Sequence, residues 1–182
     1  MKKVLIPLAD GFEEIEALAT VDILRRAGAD VTVAGTLDGP ITGRSSIRVI
    51  PDISLDLVQG LEFDMIVLPG GAGGTEVLKK DIRVAKLIKD TLASKGFVSA
   101  ICAATTILNE LGVLEGRKFT AHPSVFSKLG EGLDTLSRVV VDNNIITSQG
   151  PGTAIEFALT LVKVLFGEAK ALNVNKGVMA KL

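Results

Sequence analysis

The chain has no tryptophan and no tyrosine, and it contains a single cysteine and a single histidine among its 182 residues. One cysteine excludes a disulfide bond within the chain, and no set of Cys and His has the spacing of a zinc site. Because aromatic residues account for only 4% of the chain, the core has to be built mainly from Val, Ile, Leu and Ala. The sequence therefore predicts neither a disulfide scaffold nor a metal centre.

Net charge and long apolar runs are also scarce. The net charge is −1 without a basic cluster, which argues against nucleic acid as the main partner. No apolar run approaches the roughly 20 residues of a membrane span. The first residues, MKKVLIPLADGFEE, turn acidic after a short apolar stretch, as a first strand does and a signal peptide does not. We expect a soluble cytoplasmic protein that acts neither on nucleic acid nor at a membrane.

Apolar runs of strand length alternate along the chain with longer stretches of helical periodicity. The predicted strands cover 4–9, 31–35, 65–71 and 97–101, the predicted helices cover 13–28, 81–96 and 153–167, and a hairpin covers 139–147. The strands are hydrophobic on both faces, as buried parallel strands are. This order predicts one α/β domain over residues 1–182, a doubly wound three-layer sandwich with a mainly parallel sheet.

The helix predicted over 13–28 has apolar residues at helical spacing, among them Ile15, Leu18 and Leu24, which we expect to face the core. Its first turn is acidic. Asp10 and Glu13 fit a capping box, in which a carboxylate satisfies free amides at the helix start.

Glu13 and Glu14 suit the solvent-exposed start of that helix, where its dipole favours negative charge. The face that Glu16 occupies is not fixed by periodicity. Glu16 is either an ordinary surface charge or an inward carboxyl whose pKa is raised by burial.

Cys102 follows directly on the strand predicted over 97–101 and precedes a helix. This is the layout of a nucleophile elbow, and the small neighbours Ala103 and Ala104 permit a tight turn. The amides and dipole of a helix start would lower the pKa of the thiol. The alternative is a small buried core residue, which is common for a free cysteine.

Two further features fall at the carboxyl ends of strands, where parallel sheets bind ligands. The only histidine, His122, lies in a loop after a short strand, although a lone histidine is more often a surface or core residue. Gly70 and Gly71 could bring backbone amides close to a reacting oxygen. A simple turn would also explain the glycine pair, and the segment fits neither a P-loop nor G-x-G-x-x-G.

Six segments together resemble the ThiJ/PfpI superfamily, within it the DJ-1-like branch of the Parkinson's-associated protein deglycase and its bacterial relatives. They are GFEEIEA, VDILRRAGADVTVAG, FDMIVLPGG, SAICAAT, TAHP and TSQGPGTAIEFAL, in the order and spacing of that branch. The resemblance covers the chain nearly end to end. It implies a flavodoxin-like fold related to class I glutamine amidotransferase domains, a homodimer, a reactive cysteine, and no metal or organic cofactor.

The resemblance also implies roles for five residues. Cys102 matches the nucleophile, Glu16 the carboxylate that hydrogen-bonds its sulfur, and His122 the nearby histidine. Gly71 and Ala103 match the positions whose backbone amides form the oxyanion pocket.

The chain departs from the family pattern at three places. Ala103 replaces the histidine that follows the cysteine in the protease-like branch, so peptidase activity is not expected. Residues 104–105 replace the Gly-Pro of human-type members. Ser45 occupies the place of a site arginine and is flanked by Arg44 and Arg48, which leaves anion binding there open.

The resemblance implies an enzyme of stress protection that removes reactive dicarbonyls. It suggests a glutathione-independent glyoxalase that turns methylglyoxal into lactate, with deglycation of early adducts on Cys, Lys or Arg as a further activity. The alternative is a redox-sensing stress protein or chaperone whose cysteine oxidises to a sulfinate beside a protonated carboxyl.

Overall fold

The computed structural model describes residues 1–181. The strands are β1 (Lys3–Leu8), β2 (Asp30–Gly35), β3 (Ile41–Thr42), β4 (Arg48–Val49), β5 (Ile53–Ser54), β6 (Met65–Leu68), β7 (Phe97–Ile101), β8 (Val139–Asp142) and β9 (Ile145–Ser148). The helices are α1 (Glu14–Arg26), α2 (Ala72–Lys80), α3 (Ile82–Ala93), α4 (Thr105–Glu110), α5 (Ala154–Phe166) and α6 (Glu168–Val178). Short 3-10 turns precede α4 and α5.

Seven strands form one sheet in the order β5-β2-β1-β6-β7-β9-β8. All neighbouring pairs are parallel except β8 and β9, which form the predicted hairpin. Strands β3 and β4 form a separate antiparallel pair. The five long parallel strands follow the order of flavodoxin-like sheets, so the predicted fold class is confirmed.

The sheet separates two apolar cores because successive side chains of a strand point to opposite faces. In β1, Val4, Ile6 and Leu8 join the core under α1, α5 and α6, while Leu5 joins the core under α2, α3 and α4. This is the three-layer sandwich that the sequence predicts. The carboxyl ends of β1, β6, β7 and β9 therefore meet at one edge of the sheet.

Helix α1 presents a different face to the core from the one predicted. Ile15 and Leu18 are 56% and 37% exposed, whereas the buried residues of the helix are Glu14, Glu16, Ala17, Thr20, Ile23 and Leu24. The stripe from Glu16 to Leu24 has the same helical period as the predicted one, so periodicity alone did not choose between them. The prediction that Ile15 and Leu18 face the core was wrong, because it assumed that the apolar side of the helix is the buried side.

Within residues 1–181, the structure contains no helix that is both long and apolar enough to cross a membrane.

Candidate active site

Cys102 lies at the turn where β7 ends and the path to α4 begins. Its φ angle is +64°, in the left-handed region that residues other than glycine rarely occupy and that stores strain. A 3-10 turn over Cys102–Ala104 leads directly into α4. The side chain is half-buried. The sharp bend points the sulfur out of the sheet at its carboxyl edge.

Glu16 comes to Cys102 from the first turn of α1. Its side chain is 1% exposed and lies beside the thiol of Cys102, close enough to influence its ionisation. The backbone N–H of Gly70, just beyond β6, donates to Oε2 of Glu16 at 2.8 Å. Burial is the largest influence on the carboxyl and raises the pKa of Glu16 to about 7. Of the two alternatives for this residue, the structure has the inward carboxyl.

Position 70 requires a glycine because Glu16 and Cys102 both lie close to its backbone. A Cβ atom at this position would lie 2.6 Å from Oε2 of Glu16 and 2.7 Å from Cβ of Cys102. The sequence indicated that the amide of Gly70 could approach a reacting oxygen. In the structure this amide binds the carboxyl group of Glu16 instead.

Two other backbone amides converge on the sulfur. The N–H groups of Gly71 and Ala103 both hydrogen-bond the thiol of Cys102. Gly71 caps the start of α2 with a φ of +89°, and a Cβ there would lie 2.3 Å from the carbonyl oxygen of Gly11. Only glycine can bring its amide this close, so the two positions predicted to supply amides do lie around the nucleophile.

Burial raises the pKa of the Cys102 thiol to about 12, and the charge of Glu16 is the next largest cause. This is opposite to the lowering expected from a helix start, because the two amides offset only part of the desolvation. An ionised Glu16 disfavours the ionisation of Cys102. The pair therefore holds one negative charge above the pKa of Glu16, about 7.

The surrounding donors decide which partner carries that single charge. The sulfur of Cys102 has two N–H donors. Glu16 has one donor on Oε2, and its buried Oε1 has no hydrogen-bond partner. This distribution of donors favours a thiolate beside a protonated carboxyl, whereas the pKa of Glu16, which lies below that of Cys102, by itself places the charge on Glu16.

Glu13 and Glu14 are not the solvent-exposed helix start that the sequence predicts, since they are only 6% and 4% exposed. The guanidinium of Arg44 donates to Oε2 of Glu13 at 3.2 Å. Oε1 of Glu14 accepts the N–H of Ser45 at 2.8 Å and that of Ile47 at 3.4 Å. Both carboxylates thus fasten the loop between β3 and β4 over the start of α1.

The predicted capping box is absent for the same reason. Glu13 occupies the N-cap position of α1 without a side-chain cap bond. Asp10 instead accepts the N–H of Thr42 at 2.7 Å. Contacts with a loop distant in sequence have replaced the local ones.

Of the two arginines that flank Ser45, Arg44 lies nearer the reactive pair. Its charge lowers the pKa of Glu16, while the charge of Glu13 raises it. Arg48 lies in β4 and is exposed. The structure thus places a cation within electrostatic reach of Glu16, although Glu13 already binds it.

His122 lies beside the elbow. Its backbone N–H donates to the carbonyl of Cys102 at 3.5 Å, and its ring atom Nδ1 accepts the N–H of Ser124 at 3.2 Å. A Cβ on Gly150 would lie 3.1 Å from Cδ2 of His122 and 4.0 Å from Oε1 of Glu16. The ring and the carboxyl therefore approach Gly150 from two sides.

Gly150 was missed in the sequence, although it follows β9 at the edge where the other candidates gather. Ligands bind beyond the carboxyl ends of parallel strands, and applying this rule to β9 as well would have identified Gly150. The remaining predicted residues all come together there: Cys102, Glu16, His122, Gly71 and Ala103. Among residues 1–181, no group of three or more His, Cys, Asp or Glu side chains is arranged to hold a metal ion.

Comparison with known proteins gives consistent results. The profile of the DJ-1/PfpI family matches residues 2–164. Protein dj-1beta of Drosophila melanogaster is 41% identical over 181 residues, which cover 98% of this chain and 97% of that protein. The crystal structure of Drosophila melanogaster DJ-1beta superimposes with a TM-score of 0.96 at 39% identity, covering 100% of this chain and 99% of that one.

Two further relatives differ in name and in length. A Caenorhabditis elegans protein named glutathione-independent glyoxalase DJR-1.2 is 38% identical over 177 residues, covering 95% of this chain and 92% of that protein. Protein DJ-1 homolog B of Arabidopsis thaliana is 38% identical over 179 residues, and this chain spans 41% of its length.

Proposed function

This chain belongs to the DJ-1/PfpI family, and on that premise we propose that it is a cysteine-dependent glyoxalase that converts small dicarbonyls such as methylglyoxal to hydroxy acids without glutathione. The observation that carries the proposal is the close approach of the thiol of Cys102 and the buried carboxyl of Glu16, which meet at Gly70, and the pKa of that carboxyl, about 7. It joins a nucleophile to a group that can both release and accept a proton near neutral pH. The name of the nematode relative supports the reaction class.

The first step is addition of the Cys102 thiolate to the aldehyde carbon. A C–S bond forms, the C=O π bond breaks, and the oxygen takes the electron pair. The amides of Gly71 and Ala103, which already surround the sulfur, are close enough to stabilise that oxyanion. The proton of Glu16 then passes to the oxygen and gives a hemithioacetal.

The second step moves hydrogen between neighbouring carbons. The Glu16 carboxylate removes the proton from the former aldehyde carbon, the electron pair forms a C=C bond to the adjacent ketone carbon, and the ketone oxygen takes the negative charge of an enediolate. Glu16 returns the proton to that second carbon, and the hydroxyl proton on the first carbon passes to the oxygen on the second, which leaves a thioester of Cys102. The oxidation of one carbon is balanced by the reduction of its neighbour, so no external oxidant or reductant takes part.

Hydrolysis completes the reaction. Water attacks the thioester carbon, the C–S bond breaks, and the Cys102 thiolate leaves. Methylglyoxal and water thus become lactate and a proton, with every proton transfer within reach of Glu16. The thiol must stay reduced for this cycle, so we assign the activity to the cytoplasm.

The direct test is consumption of methylglyoxal and release of lactate by purified protein that is free of glutathione. The Cys102→Ser variant should retain the fold by circular dichroism and lose the activity. Lactate release by the Cys102→Ser variant at the wild-type rate would disprove the proposal. A second experiment tests whether deglycation is direct. A substrate protein that already carries a methylglyoxal adduct is incubated with the purified chain, in the presence of a separate scavenger of free dicarbonyl.

A redox role is the second candidate, favoured by the half-exposed position of Cys102 beside a carboxyl that can donate a hydrogen bond. Two equivalents of peroxide would convert the thiolate to a sulfinate and release two waters. The proton of Glu16 would then bind a sulfinate oxygen.

The predicted homodimer stays a proposal. Ile15 and Leu18 are exposed on one side of α1, and Ile47 is exposed in the loop that Glu14 holds. Single apolar side chains on a surface are ordinary, but three on adjacent segments suit an interface. Light scattering of wild-type and Leu18→Glu protein tests this, with a dimer and a monomer as the expected states.

A further inference from the structure

Ser124 makes two contacts with His122 that the chemistry above does not use. Its backbone N–H lies 3.2 Å from Nδ1 of the ring, and its hydroxyl oxygen lies 2.8 Å from the same nitrogen. His122 is the side-chain cap of the 3-10 turn Pro123–Lys128. His122 thus caps the start of the turn, and Ser124 within the turn occupies the Nδ1 atom of its ring.

A backbone N–H can only donate, so the nitrogen that it reaches must present a lone pair. A neutral imidazole with a lone pair on Nδ1 carries its proton on Nε2. The hydroxyl of Ser124 then donates to Nδ1 as well. The backbone N–H of Ser124 thus selects the tautomer, and the hydroxyl, which can donate or accept, adds a second hydrogen bond to the selected form.

The other edge of the ring lies against Gly150, which also adjoins Glu16. Atom Cδ2, which is bonded to Nε2, lies 3.1 Å from the position of a Cβ on Gly150. That position is 4.0 Å from Oε1 of Glu16, a buried oxygen without a hydrogen-bond partner. The backbone of His122 is tied to the carbonyl of Cys102, so the ring cannot drift far from the nucleophile.

We propose that Ser124 is a positioning residue that fixes His122 as the Nε2–H tautomer, so that His122 serves the reaction as a hydrogen-bond donor and Glu16 alone moves the proton. This rests on the proposed glyoxalase function for its catalytic part, but the tautomer is a property of the resting protein. The donor at Nε2 would bind the ketone oxygen of the substrate and favour loss of the neighbouring C–H proton.

The tautomer can be measured directly, because His122 is the only histidine in the chain. Protein labelled with nitrogen-15 histidine should give one imidazole spin system, with the cross-peak pattern of the Nε2–H form. A pattern of the Nδ1–H form, or an average of both tautomers, would overturn the proposal. This measurement needs no turnover, so its outcome is independent of whether the protein is a glyoxalase.

Ser124→Ala removes the hydroxyl and keeps the amide. Because Ser124 is exposed, the fold should be unaffected. The remaining amide should keep the Nε2–H pattern, while loss of the hydroxyl's hydrogen bond loosens the ring and should lower kcat about tenfold, as is typical when a partner that orients a histidine is removed. Ser124→Thr should restore kcat. The Nδ1–H pattern in Ser124→Ala would show that the amide does not select the tautomer, and an unchanged kcat would remove the hydroxyl from the positioning role.

Two replacements of the histidine separate a donor from a proton carrier. The amide nitrogen of a glutamine reaches the place of Nε2, while that of an asparagine reaches only the place of Nδ1. His122→Gln should therefore keep kcat within about tenfold of wild type, and His122→Asn should lose about a hundredfold. Equal losses in both variants would show that His122 carries a proton itself and would overturn the donor role.

Discussion

The carboxyl of Glu16 and the thiol of Cys102 lie side by side at Gly70, although they come from two separate strand-to-helix connections. Glu16 belongs to the connection after β1, and Cys102 to the connection after β7. Neither group has another side-chain partner of opposite charge in contact, since the nearest cation, Arg44, pairs with Glu13. Burial is the largest influence on the pKa of each group, and the other group and the backbone amides modify it further.

Glu16→Gln should lower kcat by at least about a hundredfold, because the amide keeps the shape and a hydrogen bond but cannot carry a proton. Steady-state kinetics with methylglyoxal measure this. Glu13→Gln is the matched control: it lies in the same turn and is equally buried, but it binds Arg44 and should keep most of kcat. Near-wild-type kcat in Glu16→Gln, or an equal loss in Glu13→Gln, would contradict the assignment.

The free energy of unfolding should depend on pH through Glu16. Its folded-state pKa is about 7 against an ordinary value of 4.5, so between these values the unfolded chain releases the proton first and stability falls as pH rises. The loss across this window is roughly 3 kcal/mol. Urea unfolding at about pH 5 and about pH 8 measures it, with Glu16→Gln as the reference that lacks this group. A constant difference between the two proteins would contradict the raised pKa.

A thiolate should form as the pair loses its first proton, near the pKa of Glu16 of about 7. Ultraviolet absorbance of the thiolate against pH measures this, and the absence of Tyr and Trp leaves little background. Cys102→Ser supplies the blank. The alternative result is a rise in absorbance only towards pH 12, the pKa of about 12 that Cys102 has beside an ionised Glu16. The negative charge of the pair would then reside on the carboxylate of Glu16, and the donors around the sulfur would not determine which group is charged.

Mild peroxide should add two oxygen atoms to Cys102 and leave the protein folded. Intact mass spectrometry detects the product, with Cys102→Ser as the unreactive control. Glu16→Ala should give a less uniform product, because the hydrogen-bond donor for the sulfinate is gone. A wild-type protein that gains no pair of oxygen atoms would leave the redox candidate without support.

Gly150→Ala should impair catalysis without impairing folding. The backbone of Gly150 is extended, with φ of 165°, so alanine is not strained there, but its methyl group would lie 3.1 Å from the ring of His122. We expect kcat/KM to fall by roughly tenfold to a hundredfold, as displacement of a positioned group does. Gly152→Ala is the control, since nothing lies within 4 Å of its Cβ position. Equal effects of the two changes would mean that the loop, not the ring, is responsible.

Much of this arrangement could be predicted because it depends on strand ends. The strands are apolar on both faces, so their limits are visible in the sequence, and parallel strands bring their carboxyl ends together whatever else the fold does. That reasoning placed Cys102, His122 and Gly71 at one edge. The side of the helix on which Glu16 lies came from family resemblance, not from periodicity.

The parts that could not be predicted depend on contacts between distant segments. Burial of Glu13 and Glu14 follows from the loop between β3 and β4, whose amides and arginine replace water around two carboxylates. The residues next to Glu13 and Glu14 in the sequence give no indication of their contacts with that loop. The raised pKa of Cys102 beside an ionised Glu16 could not be predicted for a similar reason: a helix start is visible locally, but desolvation and a neighbouring charge are not.

The left-handed backbone of Cys102 makes this residue a poor choice for folding alone. At φ of +64°, a glycine would be relaxed, whereas a residue with a Cβ atom bears a strain of the order of 1–3 kcal/mol. Cys102→Gly could therefore match or exceed the wild type in thermal stability while it abolishes the chemistry. The fold would accept a less strained residue at this bend, and on the proposed function a cysteine there exchanges stability for reactivity.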